Sequence, residues 1–197
     1  MSKNLNARLA AVAAVAAIGA VETSQAATVY SGVVNLAVPN TFDGLYSNLV
    51  TNTHNSNSAL VTGWDVDPWV SGGTWRMFPN SNGANADGGV VGVGANASNL
   101  AVGTPINAAS GYLTAAATNA PIGNGVIVGL RIFRESTSTI HFGWARYNLA
   151  NGSAGTLVDY AYEDVAGAES LAGVVPTPGA ASLLAVGAAG LLRRRRA

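Results

Sequence analysis

The chain has 197 residues, a length that suits one ordinary domain and is short for two. It contains no cysteine, which excludes disulfides and thiolate metal sites. The formal net charge is zero, but residues 27–175 carry nine acidic residues against four arginines, a net charge of about −5. A body of this charge lacks the clustered cationic face that nucleic-acid binding requires, so no nucleic-acid partner is predicted.

Residues 1–26 have the three parts of a secretory signal peptide. A basic start is followed by an uncharged run over Leu9–Val21 and by a polar stretch that ends in small residues. Ser24 and Ala26 hold the small-x-small positions that signal peptidase accepts, which predicts cleavage between Ala26 and Ala27. A short amphipathic helix retained in the fold is disfavoured because the run is apolar on every face. The partners implied are the Sec translocon and signal peptidase.

Residues 27–175 show short apolar or alternating runs separated by Gly, Asn, Ser and Pro, without a sustained helical period. Four runs have the period of two that is typical of half-buried strands. They are TVYSGVVNLAV, GVIVGLRIF, IHFGWARYNL and TLVDYAYED. Many short strands with closely spaced turns predict an all-β domain over residues 27–175, an antiparallel β-sandwich of jelly-roll type. An N-terminal signal helix and a C-terminal hydrophobic sorting helix would flank it.

Two polar stretches predict surface loops. The first is TNTHNSNS, which has no apolar residue to bury. The second, NSNGANADGGVVGVGANASN, is too rich in Gly and Asn for one interior strand. It predicts a long loop around a short strand at Val90–Val93.

Alternation also predicts which side chains share a face of each strand. The predicted sets are Tyr30, Val34 and Leu36; Val126, Val128, Leu130 and Ile132; Ile140, Phe142 and Trp144; and Leu157, Asp159 and Ala161 opposite Val158, Tyr160 and Tyr162. The last two runs are joined by ANGSAG. Its Asn151-Gly152 step supplies the positive φ angles of a tight connection and predicts an antiparallel hairpin.

The chain closes with an uncharged stretch, Ala180–Leu192, and then Arg193, Arg194, Arg195 and Arg196. As a helix the stretch would be about 20 Å long against a hydrocarbon core of about 30 Å, too short for a comfortable permanent anchor. The arginines would keep its end in the cytoplasm, with the domain outside. A core helix with a basic tail would not explain an apolar surface on all sides, so we interpret the segment as a stop-transfer signal.

The order of these parts resembles the PEP-CTERM sorting domain, which exosortases recognise in Gram-negative bacteria. Pro176, Thr177 and Pro178 stand where that family has Pro-Glu-Pro, and the Pro-Thr-Pro form is similar to planctomycete-like tags. The prolines keep the site extended and accessible to a protease. The resemblance implies that residues 176–197 are a sorting tag cut by an exosortase-type membrane peptidase.

The body resembles a recurring group of exported bacterial proteins that usually carry such tags. The likeness rests on YSGVVNLAVPNTFDGLYSNLVT, GWDVDP and HFGWARYNL followed by GTLVDYAYEDVAG. It implies that the strands containing Gly143–Arg146 and Tyr160–Glu163 form the last hairpin before the tag. No activity is established for the group, so the resemblance transfers no catalytic residue.

Three tryptophans, Trp64, Trp69 and Trp75, fall within twelve residues and have Phe78 beside them. Aromatic rings in a loop can stack on the apolar faces of sugars, which suggests a glycan-binding site. The alternative is packing in the core or at an edge of the sandwich, where the chain has few other large residues.

Asp65 and Asp67 could lie on one side of an extended strand and share a calcium ion with Asp43 and Asp87. The sequence has neither an EF-hand loop nor a repeated nonapeptide. Aspartates that form turns explain the same residues, so we predict no metal site and no cofactor.

No catalytic residue is predicted. The chain lacks a Gly-x-Ser-x-Gly elbow, a His-Glu-x-x-His motif and any thiol, and His54 and His141 are its only histidines. Glu135, Glu163 and Asp159 could approach as paired acids of a glycoside hydrolase, but solvated strand ends explain them as well.

Together these features predict an exported, non-catalytic protein of the cell envelope or the extracellular matrix of a biofilm. It would insert transiently in the inner membrane, undergo processing and reach the cell surface or matrix. The alternatives are a secreted exopolysaccharide-binding module and, as a third class, a secreted hydrolase.

Overall fold

The fold is known from a computed structural model, which describes residues 27–80 and 88–175. The strands are β1 Thr28–Tyr30, β2 Leu36–Val38, β3 Tyr46–Asn48, β4 Thr53–Asn55, β5 Val66–Ser71, β6 Thr74–Pro79, β7 Gly89–Val93, β8 Asn96–Ala97, β9 Pro105–Ile106, β10 Tyr112–Leu113, β11 Thr118–Asn119, β12 Gly123–Arg134, β13 Thr139–Leu149, β14 Gly155–Glu163 and β15 Ser170–Leu171. One 3₁₀ turn spans Ser58–Leu60. In this described part, no helix has the length and apolarity to cross a bilayer.

The prediction of an all-β fold is confirmed. Most strands belong to one large curled sheet in the order β1-β14-β13-β12-β7-β8-β11-β6-β5-β3-β4, with β2 beside β14 and β10 beside β7. The pairing is antiparallel except for the short parallel contact between β8 and β11. Strands β9 and β15 form a separate two-stranded sheet. The predicted signal helix, Asp87 and the sorting tag lie outside the described residues.

The main core lies on the concave side of the sheet, where side chains from both halves meet. Strand β12 contributes Val126, Val128, Leu130 and Ile132, as the alternation predicts. Strands β5 and β6 contribute apolar side chains from the other half of the sheet. These are Val66, Trp75 and Met77. The two halves of the curled sheet are therefore held together by apolar burial.

A second core lies on the opposite face of β12–β14. Phe142 and Trp144 are buried there as the alternation predicts, beneath Ile106 and Ala172 from the region of the small sheet. The prediction that these strands are half-buried is therefore wrong, because the β9–β15 pair covers their second face. Strands buried on both faces are apolar on both sets of alternate positions.

A β-bulge changes the predicted faces of β14. Arg146 pairs with Asp159, but Tyr147 pairs with Leu157, so Val158 is the extra residue. The bulge directs the side chain of Leu157 into the main core, where Tyr160 also lies. The sequence predicted instead that Leu157 shares a face with Asp159. The carbonyl group of Val158 bonds outside the pairing of β13 with β14. It accepts a hydrogen bond from Val34 N–H at 2.8 Å.

The remaining predictions are met in part. The first run forms two strands, β1 and β2, because the backbone takes positive φ at Gly32 and Asn35 between them. The hairpin between β13 and β14 is confirmed, with a positive φ at Gly152. The polar stretch 51–58 is largely exposed but contains β4. The short strand at Val90–Val93 is confirmed as part of β7.

Replacing Leu130 with alanine should lower the free energy of unfolding by about 2–5 kcal/mol, because a Leu side chain that is 1% exposed would leave a cavity. Leu60→Ala makes the same chemical change at a site that is 63% exposed and should stay within about 0.5 kcal/mol of wild type. Urea denaturation of the full chain measures both. Equal losses from the two substitutions would contradict the position of the main core.

Candidate functional site

The convex side of β5 and β6 carries a group of aromatic side chains. Along these strands Val66, Trp75 and Met77 enter the main core, so the alternate residues point away from it. Phe78, directly opposite Asp67 in the pairing of β5 with β6, lies on this outer side. We name as the aromatic face the rings of Phe42, Tyr46, Trp64, Trp69 and Phe78.

The rings of the aromatic face form two clusters with edge-to-face contacts. Trp64 lies between Tyr46 and Phe78, with ring centroids 5.0 Å apart in each pair. Phe42 contacts Trp69 at 4.8 Å and an interplanar angle of 75°. Phe42 is 71% exposed, and the other four rings are half-buried. Such rings combine an accessible apolar surface with a fixed orientation.

Trp75 does not belong to the aromatic face. Its ring is fully buried in the main core, and its indole N–H donates to the Ala150 carbonyl at 2.9 Å. A buried ring has no surface to offer a sugar, so the glycan interpretation extends to Trp64 and Trp69 and not to Trp75. Sequence reasoning missed Phe42 and Tyr46 as members of this group. Strict alternation in TWRMFP could have placed Phe78 on the other face of the strand from Trp75. No sequence signal identified Phe42.

A bulge beside β5 brings Phe42 to Trp69. The Thr41 carbonyl accepts from Val70 N–H at 2.9 Å, and Leu45 N–H donates to the Pro68 carbonyl at 3.2 Å. Three residues, 42–44, therefore stand opposite Trp69 alone. The last residue of this bulge needs to be glycine, because Gly44 has a φ of 53° and a Cβ there would collide with the Pro68 carbonyl and the Asp67 carboxylate.

Asp67 lies beneath this bulge and is 1% exposed. Its Oδ1 atom accepts no hydrogen bond from residues 27–80 or 88–175. Burial raises the pKa of Asp67 to about 8, with a smaller contribution from the charge of Asp43 and an opposing one from the backbone N–H of Leu45. A buried carboxyl group without full hydrogen bonding favours its neutral form.

Asp65 has different surroundings from Asp67. It precedes β5, its Oδ2 accepts from Leu49 N–H at 2.7 Å, and burial raises its pKa well above the usual range. Asp65 therefore has a backbone amide donor at one oxygen, whereas Oδ1 of Asp67 has no donor among residues 27–80 and 88–175. Among residues 27–80 and 88–175, no three His, Cys, Asp or Glu side chains are grouped as a metal site.

A polar border adjoins Trp69. The indole N–H of Trp69 donates to the Ala116 carbonyl at 3.0 Å, which fixes the ring. Arg76, opposite Trp69 in the pairing of β5 with β6, donates to the side-chain oxygen of Asn119 and to the Ala117 carbonyl. Asn119 in turn donates to Asn96 Oδ1 at 2.8 Å. Amide and guanidinium groups therefore lie at the edge of an otherwise apolar surface.

The acids considered for a hydrolase have structural partners. Asp159 accepts from the Tyr30 hydroxyl at 2.9 Å and forms an ion pair with Arg146 at 3.5 Å. Glu163 accepts from the Thr28 hydroxyl at 2.5 Å. Glu135 lies against Gly63 at another part of the surface. These groups tie β1 and the loops to the sheet.

The two histidines are also engaged locally. His141 is buried, and its Nδ1 lies 2.7 Å from the Glu163 carbonyl while its Nε2 lies 2.9 Å from the Thr139 hydroxyl. His54 Nε2 lies 3.0 Å from the side-chain oxygen of Asn52. Burial lowers the pKa of His54. The His54 ring also makes an edge-to-face contact with Tyr160 of β14, with ring centroids 6.0 Å apart.

An open groove of about 470 Å³ lies on the other side of the sheet, on the face of the second core. Its floor includes Phe142 and Ile140, and Tyr112 stacks on Phe142 with ring centroids 6.1 Å apart. The Arg131 guanidinium lies 4.9 Å from the centre of the Tyr112 ring and donates to the Gly88 carbonyl at 3.3 Å. Sequence reasoning did not predict this groove, because residues from four separate segments form it.

Comparisons with known protein families, with curated proteins and with solved structures find no match to this chain.

The raised pKa of Asp67 predicts that protein stability falls as the pH rises from about 4 to about 8. In this window the folded state, with a pKa near 8, holds a proton that the unfolded carboxyl group, with a pKa near 3.8, has released. Asp67→Asn cannot ionise and has nearly the same volume, so it should be more stable than wild type at about pH 8, by on the order of 2–4 kcal/mol.

Urea denaturation across this pH range measures the effect. The pKa of Asp65 is also raised, so part of the pH dependence of the unfolding free energy should persist in Asp67→Asn. Asp164→Asn removes an exposed carboxylate that pairs with Arg134 and serves as the matched control. An unchanged pH slope in Asp67→Asn would contradict the burial of an unsatisfied carboxyl group.

Proposed function

We propose that this chain is an exported, non-catalytic protein of the cell envelope or extracellular matrix that binds exopolysaccharide through its aromatic face. The observation that carries the proposal is the set of five accessible rings on the convex side of β5 and its neighbours. We also propose that the curled sheet is a β-sandwich of jelly-roll type. The apolar core shared by its two halves supports this assignment.

The aromatic face has the chemistry of a polysaccharide surface. Sugars present C–H groups on their ring faces and hydroxyl groups at their edges. Trp64 and Trp69 offer apolar ring surfaces to the C–H groups of a sugar. The side-chain amides of Asn119 and Asn96 offer hydrogen bonds to its hydroxyl groups. Trp64 and Trp69 belong to separate ring clusters of the aromatic face, one with Tyr46 and Phe78 and one with Phe42. Two such clusters suit a stretch of linked sugars rather than one monosaccharide.

The ends of the sequence support export and sorting. The signal peptide would engage the Sec translocon, and signal peptidase would cut between Ala26 and Ala27. The apolar stretch 180–192 with its arginines would then hold the chain in the inner membrane. An exosortase-type peptidase would remove the tag near residues 176–178 and release the domain to the cell surface or matrix.

Trp69→Ala should weaken binding to a soluble exopolysaccharide by about tenfold, which corresponds to about 1.4 kcal/mol for one stacked ring. Phe133→Ala removes a half-buried aromatic ring from β12, outside the aromatic face, and is the matched control. Affinity electrophoresis in gels that contain neutral or acidic polysaccharides measures the retardation of each variant. Equal retardation of wild type and Trp69→Ala would contradict the proposed site.

Replacing Arg193, Arg194, Arg195 and Arg196 together with glutamine should reduce processing of the tail, because the segment loses the charges that stop translocation. Intact-mass spectrometry of protein recovered from the cell surface should find wild type without residues 1–26 and without the apolar tail. Wild-type protein that is full length and cytosolic would contradict both export and sorting.

A further inference from the structure

The contact between Phe42 and Trp69 depends on the bulge that covers Asp67. Gly44 lies directly against Oδ1 of Asp67 and against the Pro68 carbonyl. The ring of Phe42, two residues earlier, rests on Trp69 and is otherwise largely exposed. Because both residues belong to the three-residue bulge 42–44, we expect a movement of Gly44 away from the carboxyl group to shift Phe42 with respect to Trp69.

No cation neutralises Asp67 among the described residues. The guanidinium of Arg76, on the adjacent strand β6, is bound to Ala117 and Asn119. Asp43 in the bulge adds a like charge to Asp67, and Tyr46 on β3 is close enough for its own pKa to be raised, first by burial and then by the charges of Asp67 and Asp43. From the core side, Tyr147 on β13 presents a hydroxyl that accepts and donates no hydrogen bond within residues 27–80 and 88–175.

These contacts disfavour the ionised form of Asp67 while the bulge is closed. An ionised carboxylate at this depth would have one oxygen without a donor and a second carboxylate, Asp43, nearby. Gly44 packs against Oδ1, so lifting the segment around Gly44 would let water reach this atom. The neutral form requires no such opening.

We propose that Asp67 is a proton switch that keeps Phe42 on Trp69 while its carboxyl group is neutral, and that ionisation opens the bulge and weakens polysaccharide binding. The second part rests on the proposed function, whereas the first concerns the bulge alone. A protein of the matrix would then hold polysaccharide in neutral or mildly acidic surroundings and release it in alkaline ones.

The first experiment follows the bulge without any sugar. The difference between the tryptophan emission of wild type and that of Trp69→Phe isolates Trp69. This difference should change with a midpoint near pH 8 in the full chain. Asp67→Asn should hold the low-pH signal throughout, and Asp43→Asn should move the midpoint to lower pH because a like charge is removed. Asp164→Asn, which removes an exposed acid elsewhere, should leave the midpoint unchanged.

The second experiment measures retardation by the same soluble polysaccharide at about pH 6 and about pH 10. Wild type should lose about tenfold in affinity between the two, and Asp67→Asn should lose less than about twofold. A parallel loss in both proteins, or a Trp69 signal that does not titrate in wild type, would overturn the switch. A Trp69 signal that titrates in a protein that binds no polysaccharide at any pH would retain the switch and overturn the proposed function.

Discussion

The structure depends on the burial of strands β12–β14 on both faces. A strand in this position must pair its backbone groups on both edges and present apolar side chains on both sides. The pairing runs without a break from Val126 to Arg134 along β12 and β13. Close packing at Gly143 supports it, because a Cβ there would press on the Ala161 carbonyl and on Tyr162. The two neighbouring layers, the small sheet and strands β3–β6, each cover one face of this central unit.

This arrangement decides which surface remains accessible. Strands β5 and β6 use one set of alternate side chains, including Trp75 and Met77, to close the main core. Their other side faces outward, with the 41–45 segment beside β5. Large rings at these outward positions add nothing to the main core. A row of such rings on a chain that has only 7% aromatic residues is therefore informative about binding.

The sequence predicted the class of fold and the faces of its longest strands, because strict alternation in GVIVGLRIF survives in β12. It failed at Leu157, since a bulge inserts one residue without any composition signal. The sequence also predicted that β12–β14 are buried on one face only. This prediction was wrong because the small sheet that covers the second face comes from distant segments. The signal peptide and the sorting tag stay predictions that rest on the sequence.

The site was predicted less completely than the fold for a related reason. Proximity in sequence grouped Trp64 and Trp69 with Trp75, but the pleat sends Trp75 to the opposite side of the sheet. Phe42 joins them only through hydrogen bonds made by Thr41 and Leu45. Such long-range pairing cannot be inferred from the spacing of one segment.

Asp67 is the position at which the local rules of a strand are most clearly broken. An acid in a strand is stable when it is solvated or paired. Asp67 is 1% exposed and its Oδ1 has no hydrogen-bond partner in the described part of the chain, although asparagine would fit the same volume. Local inconsistencies of this kind concentrate at functional sites, because the cost in stability is retained only where the group has another use. The bulge, the glycine that it needs and the exposed ring of Phe42 all adjoin this one carboxyl group. Their common location places an unsatisfied buried carboxyl group directly beside the exposed rings of the aromatic face.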